Sequence, residues 1–288
     1  RERADWIVGI NATRLFSCLY GQTMNVGRVM TPTLAMVVMR DAAIRAFKPE
    51  SFYSAELKFR DFQAGGERMK EKAEAEKLVA ECCQAESAII TKVEQKEKAE
   101  KPPTLFDLTS LQREANRQLG FTAQQTLDYT QALYEKKLVT YPRTGSRYIP
   151  EDVFAEIPKL LAFAGSLPEW AGKVSGGTKP TRRSVDDGKV TDHHALLVTG
   201  EKPLFLAKDD ATIYHMIAGR MIEAFSEKYV KDVTTVTAEC GGLEFTAKGC
   251  IIRQAGWRAV CKAAEKTEKE EPEPETVLPD WKEGDTLA

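Results

Sequence analysis

From Ala4 to Leu19 apolar residues recur at the three- and four-residue spacing of one helix face, and the same spacing returns after Pro32, from Thr33 to Ala46. The polar stretch between them, Gly21 to Thr31, reads as a loop, and Pro49 closes the region. The period then changes: Phe52 to Phe59 alternates like a strand with one buried face. Glu67 to Cys83 is charge-rich with helical spacing, and Ala88 to Glu94 reads as another strand. Lys96 to Lys101 reads as a charged connector, and Pro102-Pro103 marks a domain boundary.

Residues 104–137 carry the clearest helical pattern. Thr109 with Gln112, and Thr122 with Gln125, each fit a capping box, in which a hydroxyl and an amide satisfy the free amides of a helix start. Gly120 separates the two helices, and Lys136-Lys137 sit where cations favour a helix C-terminus. Two short helices about a Gly turn resemble a helix-turn-helix, a motif shared by many proteins that never meet DNA. Pro150 opens a further helix, Glu151 to Ala164; Ser175 to Lys189 is a Gly-rich, basic loop; Ile213 to Phe225 is helical. Val233 to Cys240 and Leu243 to Ala247 predict a hairpin across Gly241-Gly242. Lys262 to Pro279 is too acidic and Pro-rich to pack, and Trp281 to Ala288 predicts a last strand. The pattern is that of an α+β chain in more than one domain.

Composition narrows the class. With 42 % hydrophobic and 29 % charged residues the 288-residue chain is globular over most of its length. No apolar run approaches the roughly 18–20 residues that span a bilayer, and no signal peptide is visible, so a cytoplasmic protein is expected. Beginning at Arg1, the chain reads as a fragment of something longer. Six cysteines without a CxxC pair suggest reduced thiols rather than a disulfide or zinc framework. The net charge of −2 hides an uneven distribution: residues 1–50 hold seven basic against four acidic residues, and 101–147 the same. Six Glu gather between 265 and 275. Basic excess in two regions and an acidic tail are compatible with a local nucleic-acid surface.

Three runs carry the candidate chemistry. In Leu138-Val139-Thr140-Tyr141-Pro142-Arg143-Thr144, Pro142 pushes Tyr141 into extended backbone and displays it on a stiffened chain. A phenol ionises near pH 10, so forming a phenolate at pH 7 takes roughly 4 kcal/mol. A guanidinium two residues on would lower that cost and grip phosphate oxygens with both arms. Tyrosine, arginine and a hydroxyl are suitable parts for attack on a phosphodiester. Thr191-Asp192-His193-His194-Ala195 holds two of the chain's three histidines, without the further ligands at recognised spacing that a metal needs. Gly27-Arg28-Val29-Met30-Thr31-Pro32-Thr33 offers amides, an arginine and hydroxyls at a helix start, a seat for backbone phosphates, but lacks P-loop spacing.

Taken together these runs resemble the type IA DNA topoisomerases, most closely their bacterial topoisomerase III branch. Matching segments occur in family order: Arg3 to Arg14, Gly27 to Thr33, Pro102 to Gln112, Leu138 to Thr144, and His193-His194-Ala195. Met30, Gly145, Asp192 and Val198 depart from the usual family residues. The resemblance implies a toroidal enzyme acting on DNA, preferably single-stranded, without ATP, as a cytoplasmic, nucleoid-associated monomer. Tyr141 would form a 5′-phosphotyrosyl link, Arg143 would position the scissile phosphate, and His193 would hydrogen-bond beside it. Asp5, Arg14, Arg28, Thr31 and Thr144 fall in segments that contact DNA in relatives. The implied domains are a single-strand groove segment (1–50), a β-rich hinge in two parts (51–101 and 229–288, with an acidic linker at 262–279), and a helical gate with the tyrosine (102–228). The Mg²⁺ of the family would be bound by a Toprim domain outside these residues, with no metal ligand in this chain, so the fragment alone is expected to be inactive.

Two rival classes fit less well. A non-catalytic helix-turn-helix module could present Thr122 to Lys137 to the major groove, but that face offers Gln124, Gln125 and Asp128 without an arginine. Tyrosine recombinases need their histidine before the nucleophile, whereas His193 and His194 follow Tyr141.

Overall fold

The computed structural model describes residues 2–58, 63–85, 87–173, 180–260 and 276–287. Residues 174–179 of the basic loop and 261–275 of the acidic segment lie outside that description. The chain divides into two compact units, one formed by residues 1–53 with 68–72 and the other by 54–67 with 73–288.

The first unit contains helices α1 (Glu2–Tyr20) and α2 (Met30–Arg45). Neither buries a side chain: Trp6, Leu19, Met36 and Met39 are all exposed. The loop between them hangs on polar groups of α1. The Val26 amide donates to Thr13 Oγ1 (2.9 Å), and the Met24 amide to Ser17 Oγ (2.9 Å).

The second unit joins a sheet to a helical core. The sheet has the order β1-β2-β5-β4-β3-β6, with β1 Tyr53–Lys58, β2 Gln63–Met69, β3 Ala88–Glu100, β4 Tyr229–Cys240, β5 Leu243–Gln254 and β6 Thr286–Leu287. Strands from both ends of the chain therefore share one sheet, with β4 antiparallel to β3 and β5. Ala64, Ile90, Val236, Ala238, Phe245 and Ala247 are buried in it. Helix α3 (Lys72–Ala85) lies against the β4–β5 turn, where a side chain on Gly241 would meet the Cys82 backbone at 3.1 Å.

Four expectations are corrected here. Glu67 to Met69 belongs to β2, so α3 starts later than its charge pattern suggested. Lys96 to Glu100 is not a connector: Glu97 pairs with Asp232 and Lys98 with Lys231, so β4 satisfies the backbone while the charged side chains stay in solvent. The hairpin is also longer than predicted, running from Tyr229 to Gln254. Thr276 within the acidic segment pairs with Cys250, so packing resumes there.

The helical core comprises α4 (Leu108–Leu119), α5 (Ala123–Glu135), α6 (Glu151–Gly165) and α7 (Lys208–Phe225). Leu111, Leu133, Ile157, Ile213, Ile217 and Met221 meet in its centre with Leu196 and Leu197. Helix α4 is started by Asp107 rather than by Thr109: the Ser110 amide donates to Asp107 Oδ1 (2.7 Å) and the Asp107 amide to Ser110 Oγ (3.1 Å). An aspartate two residues earlier takes the cap, and Gln112 instead donates to the Ala123 carbonyl (3.0 Å). The Thr122–Gln125 box forms as expected, and Gly120 ends α4 at φ +72°.

Candidate active site

Helix α5 delivers the tyrosine. Its C-terminal cap Lys136 pairs with Asp210 at the start of α7 (2.8 Å), and Tyr129 donates to Asp209 (3.1 Å), so the helix end is fixed to its neighbour. Lys137 takes a left-handed φ of +62° and turns the chain out of the helix. The chain then runs beside the segment from His193 to Thr199. Val139 bridges Val198, Thr140 N–H donates to the Leu197 carbonyl (3.0 Å), and Leu196 N–H donates to the Phe106 carbonyl (2.9 Å). Ala195, Leu196, Leu197 and Val198 are buried, which anchors the segment in the core.

At the open end of this segment Tyr141 and His193 meet. Their ring centroids are 4.4 Å apart, tilted by 46°. On its other side Tyr134 of α5 makes an edge contact with Tyr141 at 5.4 Å. Pro142 is buried, while Arg143 and His193 are exposed and Tyr141 is half-buried. Among the described residues neither the Tyr141 hydroxyl nor the Arg143 guanidinium has a hydrogen-bonding partner. His194 turns its Nδ1 toward the Ala195 carbonyl (2.7 Å). Thr144, expected to face DNA, is only 5 % exposed; its hydroxyl donates to the His193 carbonyl (2.8 Å) and accepts from the Ser146 amide (3.1 Å).

Asp107, the cap of α4, also accepts from Arg147, whose Nε donates to its carboxylate (3.2 Å). Burial alone would raise the Asp107 carboxyl, but the Ser110 hydroxyl and amide and the Arg147 guanidinium outweigh it and hold the pKa below the ordinary value. A depressed native pKa gives stability that is fully present above the unfolded aspartate value of about 4 and is lost as pH falls below it. Asp107→Ala is expected to cost about 1 kcal/mol, the usual size of a lost helix cap. Asp107→Asn keeps a cap and flattens the acid limb of the stability profile. Urea denaturation at pH 7 and pH 3 checks both, and an unchanged acid limb in the Asn variant would count against the assignment.

In the first unit Asp5 and Arg28 form a two-armed pair, Nε–Oδ1 2.5 Å and Nη2–Oδ2 3.3 Å. The hydrogen bond from Arg28 holds the Asp5 carboxyl below its ordinary value. Thr31 Oγ1 accepts from the Gly27 amide (3.0 Å), and Arg14 is exposed on α1. Sequence reasoning had not singled out Thr13, Ser17, Thr140 or Tyr134; a hydroxyl every fourth residue on α1 was the available signal for the first pair.

Among the described residues no group of three His, Cys, Asp or Glu could hold a metal ion. No described helix is long and apolar enough to cross a membrane.

The whole chain, residues 1–288, matches the family model described as DNA topoisomerase. It is 36 % identical over 302 residues to DNA topoisomerase 3 of Bacillus subtilis (strain 168), covering 100 % of this chain and 41 % of that protein. DNA topoisomerase 3 of Bacillus licheniformis is 37 % identical over 302 residues, with the same coverage. The chain thus spans about 41 % of the length of these relatives. The solved structure of full-length topoisomerase I from Thermotoga maritima superposes with a TM-score of 0.72 over 98 % of this chain and 46 % of that one; at 21 % identity it shows the shared mixed α+β fold. With every residue inside the family match, and topoisomerase 3 proteins aligned along its full length, this chain is a member of the type IA DNA topoisomerase family, from its topoisomerase III-like side.

Proposed function

We propose that this chain is the strand-cleaving gate region of a topoisomerase III-like enzyme. In this reading Tyr141 Oη attacks one backbone phosphorus of a single DNA strand, forming a 5′-phosphotyrosyl ester as the 3′ oxygen leaves. The phenolic proton is lost, and the departing 3′ oxygen gains one. A strand passes through the break, and the 3′ hydroxyl then attacks the ester and releases Tyr141. The ester retains the phosphodiester's energy, so no ATP is consumed.

The observation that carries this reading is the placement of Tyr141: wedged between Tyr134 and His193, with its hydroxyl uncommitted and Arg143 free two residues away. Arg143 is suited to grip the phosphate with two parallel hydrogen bonds as charge develops on it. His193, beside the nucleophile's ring, is suited to donate to the same phosphate. Mg²⁺, when bound elsewhere in the enzyme, would add electrostatic stabilisation; the described residues of this chain do not fit it, and no step here runs through it. The helical core from 102 to 228 serves as the gate domain and the shared sheet as a hinge, while 1–50 contributes to a groove for one strand. A cytoplasmic, nucleoid-associated monomer acting on DNA, preferably single-stranded, completes the reading.

A non-catalytic helix-turn-helix is less well supported. On α5, Gln124 donates to Asp128 (2.7 Å) and Gln125 closes the Thr122 cap, so the groove-reading face is tied up locally.

The reading is tested with end-labelled single strands and a chimera in which this chain replaces the matching region of the B. subtilis relative. Denaturation should trap a covalent protein–DNA adduct; its absence from a folded, DNA-binding chimera would overturn the reading. Strand binding gives a second test on the chain itself. Arg14→Ala and Arg28→Ala should each weaken oligonucleotide binding about equally for all sequences and lower the salt slope by roughly 0.7. Asp5→Asn should have the opposite effect, because it releases Arg28 from its pair. Fluorescence anisotropy over a salt series measures all three, and a hundredfold preference for one sequence would favour sequence-reading instead.

A further inference from the structure

Two threonines flank the Tyr141-Pro142-Arg143 segment, and both direct their hydroxyls to the backbone of the histidine-bearing segment. Thr140 Oγ1 donates to the Ala195 carbonyl (3.3 Å) and accepts from the Leu197 amide (3.0 Å). Thr144 Oγ1 donates to the carbonyl of His193 itself (2.8 Å) while accepting from the Ser146 amide (3.1 Å). Between them, among the described residues, the backbone of Tyr141, Pro142 and Arg143 makes no hydrogen bond to residues 193–199. Pro142 lacks an amide hydrogen to offer one. The ladder that pairs the segments ends at Thr140, where its amide donates to Leu197, so the tyrosine lies beyond the last backbone bond.

We propose that Thr140 and Thr144 are positioning residues, a two-hydroxyl clasp that replaces the missing ladder and keeps the Tyr141 ring seated against His193. This rests on the reading of Tyr141 as the nucleophile. The clasp explains why Thr144 is buried between the exposed Arg143 and Gly145: its hydroxyl has one partner on each segment, and its β-branched side chain is held in few rotamers. Without that hydroxyl the His193 carbonyl and the Ser146 amide both lose a partner, and the loop is expected to relax away from the histidine. Thr140 has a backup, since its own amide still binds Leu197. Thr144 is therefore the stronger half of the clasp.

The test uses the chain as it is, with nuclear magnetic resonance rather than DNA cleavage as the readout. In the wild type, cross-peaks should connect the Tyr141 and His193 rings, the histidine resonances being assigned by His193→Gln and His194→Gln. Thr144→Val has nearly the same shape without the hydroxyl, and should abolish those cross-peaks while leaving signals of the helical core and the melting temperature close to the wild type. Thr144→Ser should restore them, and Thr140→Val should weaken them less than Thr144→Val does. If Thr144→Val unfolds the chain, the serine variant and Thr140→Val still decide: cross-peaks missing in the serine variant, or undiminished in Thr140→Val, would overturn the clasp. So would intact cross-peaks in a folded Thr144→Val. None of these outcomes involves DNA, so a failure to trap an adduct would count against the functional reading and not against the clasp.

Discussion

Replacing Tyr141 with Phe in the chimera is expected to eliminate the denaturation-resistant DNA adduct entirely. The substitution removes one oxygen and keeps the ring that packs between Tyr134 and His193, so folding and strand binding should be nearly unchanged. The two threonine hydroxyls that flank it do not stand in for it: the side chains of Thr140 and Thr144 are bonded to the neighbouring backbone. A nucleophile has no partial substitute, which is why the expected loss is complete rather than graded. Arg143→Lys should behave differently, slowing cleavage without ending it, because a lysine keeps the charge and loses the two-armed fork. Gel separation of labelled adduct from free strand reads both. An adduct persisting at wild-type yield in Tyr141→Phe would remove the residue from the chemistry.

The largest expected effect on stability is at Gly256. This residue follows β5, at φ +47°, and opens the 3-10 turn Gly256–Ala259 that leads from the sheet to the helical core. A side chain there would drive its first carbon into the Lys228 carbonyl oxygen and place it 2.7 Å from that of Glu227. Both obstacles are backbone, where β4 begins, so neither can rotate aside. The turn they enclose is a junction: the Trp257 amide donates to the Glu227 carbonyl (3.0 Å), Arg258 pairs with Glu100 (2.6 Å), and Val260 is buried in the helical core. The left-handed conformation costs an L-residue about 1–2 kcal/mol, and overpacking typically adds 1–3. Gly256→Ala should therefore lose about 2–5 kcal/mol, a fall of roughly 5–15 °C in melting temperature for a chain of this size. Thermal denaturation followed by circular dichroism checks it; a shift within 2 °C would mean that the turn adjusts freely.

Much of the secondary structure was legible because it is written in local periodicity. The helices of 1–50, the box at Thr122–Gln125 and the Gly241-Gly242 hairpin need only neighbouring residues to be recognised. Errors arose where distant partners decide. Lys96 to Glu100 has the composition of a solvated linker, and only pairing with Tyr229 to Lys96's partner Val233 makes it a strand. At α4 the pattern pointed to the hydroxyl of Thr109, whereas the carboxylate of Asp107, which also holds Arg147, takes the cap two residues earlier. The site shows the same division. The residue types around Tyr141 stated their chemistry in sequence, but the contact with His193 depends on a bridge between Val139 and Val198 that no local pattern announces. Thr144 read as one more hydroxyl near phosphate, whereas it is buried and its hydroxyl is bonded to the His193 carbonyl.

The claim that Tyr141 opens the strand is tested most directly by locating the bond itself. The chimera is trapped on a single strand, digested with nuclease and protease, and the nucleotide-bearing peptide is sequenced by tandem mass spectrometry. The account predicts a nucleotide remnant on Tyr141, joined through the phosphate at the 5′ end of the break. A remnant on any other residue, or one joined to the 3′ end, would contradict it.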